Sequence, residues 1–543
     1  MSGAEQPDGE GPELSLRDWS GLVAVYSAVG GLLYAPALFS WYASDDFLHY
    51  ARVIEGGLPF WPGPEGGGFL RPLTGLSFWL DYQLWGLNPL PAHFVNIALH
   101  VANSLLVIKL ALVVQGDQAR ASRFGPMAAG LLFLVLGCHA EAVSWIACRG
   151  DLLGAFFILL MLISFLSRAW VFSVTGLGLA LLSKESAFSA PLLLMLCLML
   201  MWHRSRASAL PRSQVVAFLS HILLVVLYFF FRRAVLGSLV GGYGAHGHLR
   251  AQPDLVAQSL GHFLWRALLP PLPARLLDAM PALQGTLAIA WLGCFIALLL
   301  VLAWRGWRRP TAGVFCAMAF LAALVPVFNV RIYLSEIEGE RYLYLASVFA
   351  AMGLGLGLAR LCVRRTRVVS LCAIVLFQSA VLVSGVLYWR GAATIARVIV
   401  AGIQEQHKGG GILLVNKPDT FGGALVFRTG LPEALEHFGP HPIDTPVAEA
   451  LFATGMYQRD YRFSFGPAPE GPPGAMELRS LDARSGFSEE DREDRIKVVE
   501  KQSNSAVFVF HEPLRGVEVF YYDAGGVQAV VLAEFTSKAS NTP

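Results

Sequence analysis

The stretch Ser20–Tyr50, SGLVAVYSAVGGLLYAPALFSWYASDDFLHY, decides how the rest of the chain is read. Its first part, residues 20–40, is an almost unbroken apolar run. A helix of roughly 20 such residues crosses a hydrocarbon layer about 30 Å thick. The run ends on two adjacent carboxylates, Asp45 and Asp46. Ionised groups at or inside the edge of an apolar span cost on the order of 2–3 kcal/mol each, so a pair held there is a candidate functional site. The residues before the run, Met1–Ser20, carry Glu5, Asp8, Glu10 and Glu13 and lack the basic segment of a cleavable signal peptide. The first span is therefore expected to be retained.

The same pattern continues outward. Of 543 residues 55% are hydrophobic and only 15% are charged, against the quarter usual for soluble domains, which points to a polytopic membrane protein. After 20–40, spans are expected near 93–114, 124–138, 151–167, 170–183, 187–203, 214–231, 283–304, 312–330, 341–360 and 368–388, about eleven in all. One set of alternate loops gathers the arginines: Arg120 and Arg123, Arg168, Arg204 with Arg206 and Arg212, Arg305 with Arg308 and Arg309, then Arg360, Arg364, Arg365 and Arg367. Asp117 is their only clear acid, so these loops are expected in the cytoplasm. Residues 1–19 are then a cytoplasmic tail, and the 41–92 loop with its acidic pair lies on the opposite, trans side. Trp41, Tyr42, Phe60 and Trp61 around that loop read as an interfacial aromatic belt. All seven cysteines precede residue 391, nearly all in apolar runs, and no disulfide framework or CxxC metal site is expected.

From residue 391 the composition changes. The region 391–543 is punctuated by Gly and Pro, with strand-like runs at Ile412–Val415, Ala506–Phe510, Val517–Tyr522 and Val527–Phe535 and a helical run at Leu431–Phe438. It is expected to form a soluble α/β domain with its own core, on the trans side because an odd number of spans precedes it. The mixed-charge run Glu489–Lys501 reads as a solvated helix face or loop.

The ionisable residues of the trans loops recur at span edges: WYASDDFLHYARVIEGG, CHAEAVSWIACRGDLL, LSKES and NVRIYLSEIEGERYLYL. Interfacial snorkelling and internal ion pairs are the structural alternative for any one of them. A reaction that suits the set is transfer of a sugar from a polyprenyl phosphate. The leaving phosphate is already ionised and needs no general acid, unlike the alkoxide released by a glycosidase. One carboxylate then accepts the acceptor's proton, and cations stabilise the departing phosphate.

Ordered motifs add a resemblance. Asp45-Asp46-Phe47-Leu48-His49-Tyr50-Ala51 is similar to the first trans loop of class C (GT-C) glycosyltransferases, integral-membrane enzymes that use lipid-phosphate sugars. Arg71-Pro72-Leu73-Thr74, His93-Phe94-Val95-Asn96, Leu99-His100, His139-Ala140-Glu141-Ala142-Val143, Arg149-Gly150-Asp151-Leu152-Leu153, Leu182-Ser183-Lys184-Glu185 and Glu340-Arg341-Tyr342-Leu343-Tyr344-Leu345 resemble, more narrowly, the transmembrane O-mannosyltransferases with tetratricopeptide repeats and their bacterial relatives. The similarity covers roughly residues 20–390, the expected catalytic domain. The repeat array is absent, and Cys-His-Ala-Glu-Ala-Val at 138–143 departs from the family's His-Pro-x-His-Thr-Glu-Ala-Val.

The resemblance implies Asp45 as catalytic base and Asp46 as its orienting or acceptor-binding partner. It implies Arg341 for the lipid phosphate, with Lys184 and Arg71 next, since a planar guanidinium fork fits phosphate. A sugar and acceptor pocket is expected from His49, His139, Glu141, Arg149, Asp151, Glu185, Glu340 and Tyr344. The structural alternative for Arg341 is an ion pair with Glu340 or Glu338, and for His139, Glu141 and Asp151 a hydrogen-bonded cluster capping helices. A divalent metal on Asp45, His49, His139 and Glu141 is a further candidate, without diagnostic spacing. His246 and His248, in GGYGAHGHLR, are read as a candidate flap. The expected partners are a polyprenyl-phosphate sugar, a protein or glycan acceptor and the bilayer, with no nucleic acid. The expected location is a bacterial inner membrane with the site in the periplasm, or the endoplasmic reticulum in a eukaryote. A lipid-linked sugar flippase and a non-catalytic scaffold are the alternatives; charges at span edges and the lack of internal repeats weigh against the flippase.

Overall fold

The computed structural model describes residues 14–57, 68–116, 122–205, 210–237, 253–273, 276–277, 280, 282–306, 312–328, 330, 332–454, 462–472, 475–481, 486–487, 496–502, 504–510, 517–523 and 526–530. His246, His248, Phe60 and Trp61 lie outside them. The chain is helical up to residue 406: α1 (Leu16–Leu33), α2 (Ala35–Leu38), α3 (Asp45–Gly56), α4 (Pro72–Trp85), α5 (Pro89–Gln115), α6 (Phe124–Val135), α7 (Ala140–Ser144), α8 (Arg149–Leu166), α9 (Trp170–Leu181), α10 (Ala190–Ser205), α11 (Arg212–Leu236), α12 (Pro253–Arg266), α13 (Ala282–Gly306), α14 (Ala312–Leu324), α15 (Tyr344–Leu358) and α16 (Arg364–Gln406).

Among the described residues six stretches of helix are long and apolar enough to cross a membrane, as a multi-pass protein requires: Pro89–Gln115, Ile146–Leu166, Glu185–Ser205, Arg212–Leu236, Glu340–Leu358 and Arg364–Gln406. A seventh is formed if α6 and the segment Gly137–Ser144, bent by 53° to each other, count as one span. This is fewer than the expected eleven. Apolar runs at 170–183 and 312–330 form helices of 12 and 13 residues. At 1.5 Å per residue such helices reach only about 20 Å, short of the hydrocarbon thickness.

Two of the long helices carry buried polar side chains where the chain unwinds near them. At the α6–α7 bend, Gly137 N–H donates to Gln378 Oε1 of α16 at 3.0 Å. Asn96 of α5 donates to Val143 O at 3.4 Å and to Trp145 O at 3.2 Å, beyond α7. Irregular backbone away from water persists only where such groups satisfy it. Helix α15 approaches α6 along small residues: a Cβ at Gly355 would lie 2.5 Å from Ala129 N and 2.7 Å from Gly125 O.

Helix α16 runs 43 residues without a break, passing residue 391, where the C-terminal region was expected to begin. After it come β1 (Gly411–Pro418), β2 (Thr420–Phe421), β3 (Ala424–Leu425), α17 (Leu431–His437), β4 (Val447–Thr454), β5 (Phe463–Pro467), β6 (Met476–Ser480), β7 (Gly486–Phe487), β8 (Ile496–Lys501), β9 (Ser505–Phe510), β10 (Val517–Asp523) and β11 (Gly526–Val530). A five-stranded sheet has the order β11-β10-β1-β4-β7, with β1 parallel to both β10 and β4. A four-stranded antiparallel sheet has the order β5-β6-β9-β8. The expected helix and strands are present, with Val527–Phe535 matched by β11 to Val530 and its residues 531–535 outside the described residues. Ile496–Lys501, expected in a helix face or loop, is instead the edge strand β8: its alternating Ile496 and Val498 suit pairing with β9. One apolar cluster joins Leu413, Phe427 and Phe520 of this region to Trp389 and Ile399 of α16 and to Tyr42, Phe47 and Tyr50 around α3. The C-terminal region thus shares its core with the first loop. Tyr42, expected in an interfacial belt, is fully buried there against Phe47 and Phe438.

Because a backbone, and not a movable side chain, faces Gly355, Gly355→Ala is expected to destabilise by about 1–3 kcal/mol through overpacking. Gly357→Ala, with no atom within 4 Å of its Cβ position, should be neutral. Melting temperatures of the detergent-purified full chain check the contrast; equal values would show that the α6–α15 contact is not tight.

Candidate active site

The acidic pair opens α3, where carboxylates in the first turn face the helix's unpaired N–H groups. The chain enters through Ser44, a buried non-glycine residue at φ +49° and ψ −120°. Left-handed φ at a residue with a side chain costs of order 1–3 kcal/mol and persists where its surroundings hold it. Here Ser44 N–H donates to Val426 O at 2.9 Å.

The two carboxylates differ. Asp46 is 2% exposed. Its Oδ2 accepts from Ala43 N–H at 3.0 Å and its Oδ1 from Ala147 N–H at 2.7 Å. Burial pushes its carboxyl up to about 8 against the pull of those two donors. Reach decides before proton affinity does, and both Asp46 oxygens are already engaged. Trp145 Nε1 donates to Ala43 O at 3.1 Å, a second tie between the same loops. Asp45 is only partly buried, and its Oδ1 accepts from Thr429 Oγ1 at 2.5 Å.

His49, one turn along α3, stacks on Phe78 with ring centroids 4.8 Å apart. Asp45, Arg52, Arg71 and Lys184 all act on it electrostatically, and burial, the largest influence, lowers it to about 4. It is therefore a neutral imidazole near pH 7. The three expected phosphate ligands each hold a carboxylate. Arg71 donates from Nε to Glu185 Oε2 at 2.8 Å, with Nη2 at 2.6 Å. Lys184 Nζ lies 3.0 Å from Asp151 Oδ2. Arg341 pairs with Glu141, while Glu340 pairs with Arg266 and Glu338 with Arg428; the Arg341 backbone N–H also donates to Glu141 Oε2 at 2.8 Å. Its guanidinium sits over the Trp145 ring, 5.0 Å from the centroid. Trp145 lies two residues before Ala147, whose N–H binds Asp46, so the Arg341 pair neighbours the loop that Asp46 anchors.

Other expected pocket residues are spent on packing. Arg149 is fully buried; Nε donates to Asn96 Oδ1 at 2.9 Å, Nη2 to Ala92 O at 3.0 Å, and Nη1 lies 2.5 Å from Asp81 Oδ2. Glu340 pairs with Arg266, both about 1–2% exposed. His139 bonds Ser347 Oγ at 2.7 Å. Tyr344 OH meets His100 Nδ1 at 2.8 Å and accepts from Asn103 at 3.1 Å. His139 and Tyr344 thereby form one buried aromatic and polar cluster between α5, α6 and α15. The proposed metal set of Asp45, His49, His139 and Glu141 is not assembled. Among the described residues the metal-ligand atoms converge only at Glu55, Glu436 and His437, on the surface. The set fails because His139 turns into the bundle core while Asp45 turns to the C-terminal region.

A cavity of about 670 Å³ lies beside these elements, lined by Arg266, Pro270, Glu340, Phe377, Val381 and Tyr388 among others. Sequence reading missed what covers the acidic pair: Thr429 on Asp45, and Arg428, which binds Asp419 from Nε at 3.0 Å and Nη2 at 2.7 Å and also pairs with Glu338. The segment is the Arg428-Thr429-Gly430 turn before α17, with Gly430 at φ +87°, and its sequence marks a turn but not the contact with Asp45.

No family model matches the chain. It is 35% identical to protein O-mannosyl-transferase Tmtc1 of Drosophila melanogaster over 205 residues, 34% of this chain and 23% of that protein. It is 30% identical to human protein O-mannosyl-transferase TMTC2 over 181 residues, 31% of this chain and 21% of that protein. The chain thus spans less than a quarter of the length of these relatives. Among solved structures, ArnT from Cupriavidus metallidurans bound to undecaprenyl phosphate matches at a TM-score of 0.36 and 16% identity, over 91% of this chain and 98% of that one. The oligosaccharyltransferase AglB from Archaeoglobus fulgidus matches at 0.39 and 14%, over 73% of this chain and 62% of that one. In sequence, about a third of the chain is similar to the transmembrane O-mannosyltransferases.

Proposed function

We propose that the chain is an inverting glycosyltransferase that moves a sugar from a polyprenyl-phosphate donor to a hydroxyl acceptor at the membrane face bearing Asp45. The observation that carries this reading is the division within the acidic pair. Asp46 has both oxygens bound to backbone N–H groups, whereas Asp45 stands partly open and already accepts a hydroxyl proton donor. A carboxylate in hydrogen-bond reach of a hydroxyl is placed to serve as general base.

In the proposed reaction Asp45 takes the acceptor's proton as the acceptor oxygen bonds to the anomeric carbon. The bond from that carbon to the phosphate oxygen breaks, and the polyprenyl phosphate leaves as an anion. Arg341, Lys184 and Arg71 offset its charge, and neutral His49 beside Asp45 helps to orient the sugar. The cavity by Arg266 and Tyr388 is of a size to receive the first part of the lipid chain. The relatives' naming favours mannose and a protein acceptor, and the same chemistry accommodates another hexose and a glycan or lipid hydroxyl. The site is taken to face the periplasm of a bacterium, or the lumen of the endoplasmic reticulum in a eukaryote.

The test is transfer by the purified full chain from polyprenyl-phosphate mannose. Asp45→Asn, which keeps the shape but removes the base, is expected to lower kcat by about 10²–10⁴-fold. Full activity in a normally folded Asp45→Asn protein would refute the base assignment.

Phosphate binding by Lys184 needs a variant that leaves no buried charge unpaired, because breaking one side of a buried ion pair destabilises by several kcal/mol. The double variant Lys184→Gln/Asp151→Asn is expected to fold and to raise KM for the donor about ten-fold or more, the loss of one charge-assisted hydrogen bond. An unchanged donor KM would assign the pair to packing alone.

A further inference from the structure

We propose that Thr429, supplied by the C-terminal region, is a positioning residue for Asp45: its hydroxyl holds Oδ1 so that Oδ2 is turned toward the acceptor. This rests on the reading of Asp45 as the base. The two residues are 384 apart in sequence, so the contact exists only because the C-terminal region folds onto the first loop. Thr429 Oγ1 donates to Asp45 Oδ1 at 2.5 Å, and no hydrogen bond to Oδ2 is found among the described residues. A carboxylate held by one oxygen keeps a single rotamer and one free acceptor site, which is what proton removal from a hydroxyl requires.

The segment that carries Thr429 is fixed on both sides of the contact. Before it, Val426 O accepts from Ser44 N–H at 2.9 Å, and Phe427 stacks on Phe47 with centroids 5.6 Å apart. Arg428 is clamped by Asp419 from the end of β1 and by Glu338 from the loop that leads to Arg341. After it, Gly430 adopts φ +87°, and a Cβ there would meet Ser44 O at 2.7 Å and Phe47 Cβ at 3.1 Å. The residues on either side of Thr429 thus grip the residues on either side of Asp45. The same clamp links this segment to the loop that carries Arg341, so one element of the C-terminal region touches both the base and the loop of its leading phosphate ligand.

Steady-state kinetics on the full chain test the proposal with three variants. Thr429→Val, of equal shape but without the hydroxyl, is expected to lower kcat about ten-fold or more while KM for the donor changes by less than about two-fold. Thr429→Ser, which restores the hydroxyl, should recover kcat to within about three-fold of the parent. Gly430→Ala keeps the hydroxyl but strains its carrier, and should lose kcat as Thr429→Val does. A Thr429→Val enzyme with parental kcat, or a Thr429→Ser enzyme no better than it, overturns the proposal. So does Thr429→Val with unchanged kcat and a lowered acceptor KM, which would make Thr429 an obstacle in the acceptor's place. A second measurement needs no substrate: melting temperatures of Asp45→Ala, Thr429→Val and the double variant. Non-additive shifts are expected for groups in contact, and additive shifts would overturn the contact. A fully active Asp45→Asn with a non-additive cycle would instead strike the transferase mechanism while leaving the contact standing.

Discussion

The site depends on one buried carboxylate. Asp46 ties the entry of α3 to the turn at Ile146–Cys148, one oxygen to Ala43 N–H and the other to Ala147 N–H. That turn begins the membrane-length helix ending at Leu166, so the tie sets the first loop against a span rather than leaving it in solvent. Leaving those two N–H groups without an acceptor would cost about 1–3 kcal/mol each. Asp45, next in the chain, inherits its position from this arrangement. Its Ser44 neighbour holds a backbone conformation that only a fixed environment sustains.

Much of this was legible in sequence because its causes are local. Apolar runs of span length, the arginine-bearing loops, the acidic pair and the strand-like runs after residue 411 each reflect constraints felt within a few residues. The six long apolar helices found among the described residues appear where the pattern put them, and so do four of the strands, β1, β9, β10 and β11. What failed to show is what depends on partners far along the chain. Arg149 reads as a site cation until Asp81, Asn96 and Ala92 are seen to take up its guanidinium. His139 reads as a site histidine until Ser347 turns it inward. Thr429 lies in the region expected to be a separate domain, and nothing near it in sequence predicts a carboxylate 384 positions away. The expected eleven spans are not all matched by long helices among the described residues: composition reports that a run is apolar, but not that a helix such as Trp170–Leu181 stops after 12 residues.

The C-terminal region is therefore packed onto the candidate site rather than appended to the helices. Its apolar core is continuous with Tyr42, Phe47 and Tyr50, and the latter half of α16 supplies Trp389, Ala396 and Val400 to the same cluster. A rigid helix that passes from a membrane-length stretch into that core couples the two parts mechanically. Gly391, whose Cβ position would fall 2.4 Å from Phe421, marks how closely the helix and the β2–β3 hairpin approach.

The ion pairs sort themselves by exposure, and the sorting bears on which of them can meet a ligand. Arg149 and Arg266 are 0% and 1% exposed, so their pairs with Asp81 and Glu340 work as internal fasteners. Arg71 and Arg341 are 20% and 18% exposed, which leaves each an edge that a phosphate can approach. A cation kept unpaired at the edge of an apolar bundle would carry a large desolvation cost, and a carboxylate partner relieves it while the site is empty. On the proposed reading, the arriving phosphate shares or replaces that partner and finds a guanidinium already oriented. The pairing that looks like simple packing and the pairing that prepares a site thus have the same chemistry. Exposure separates Arg149 and Arg266 from Arg71 and Arg341.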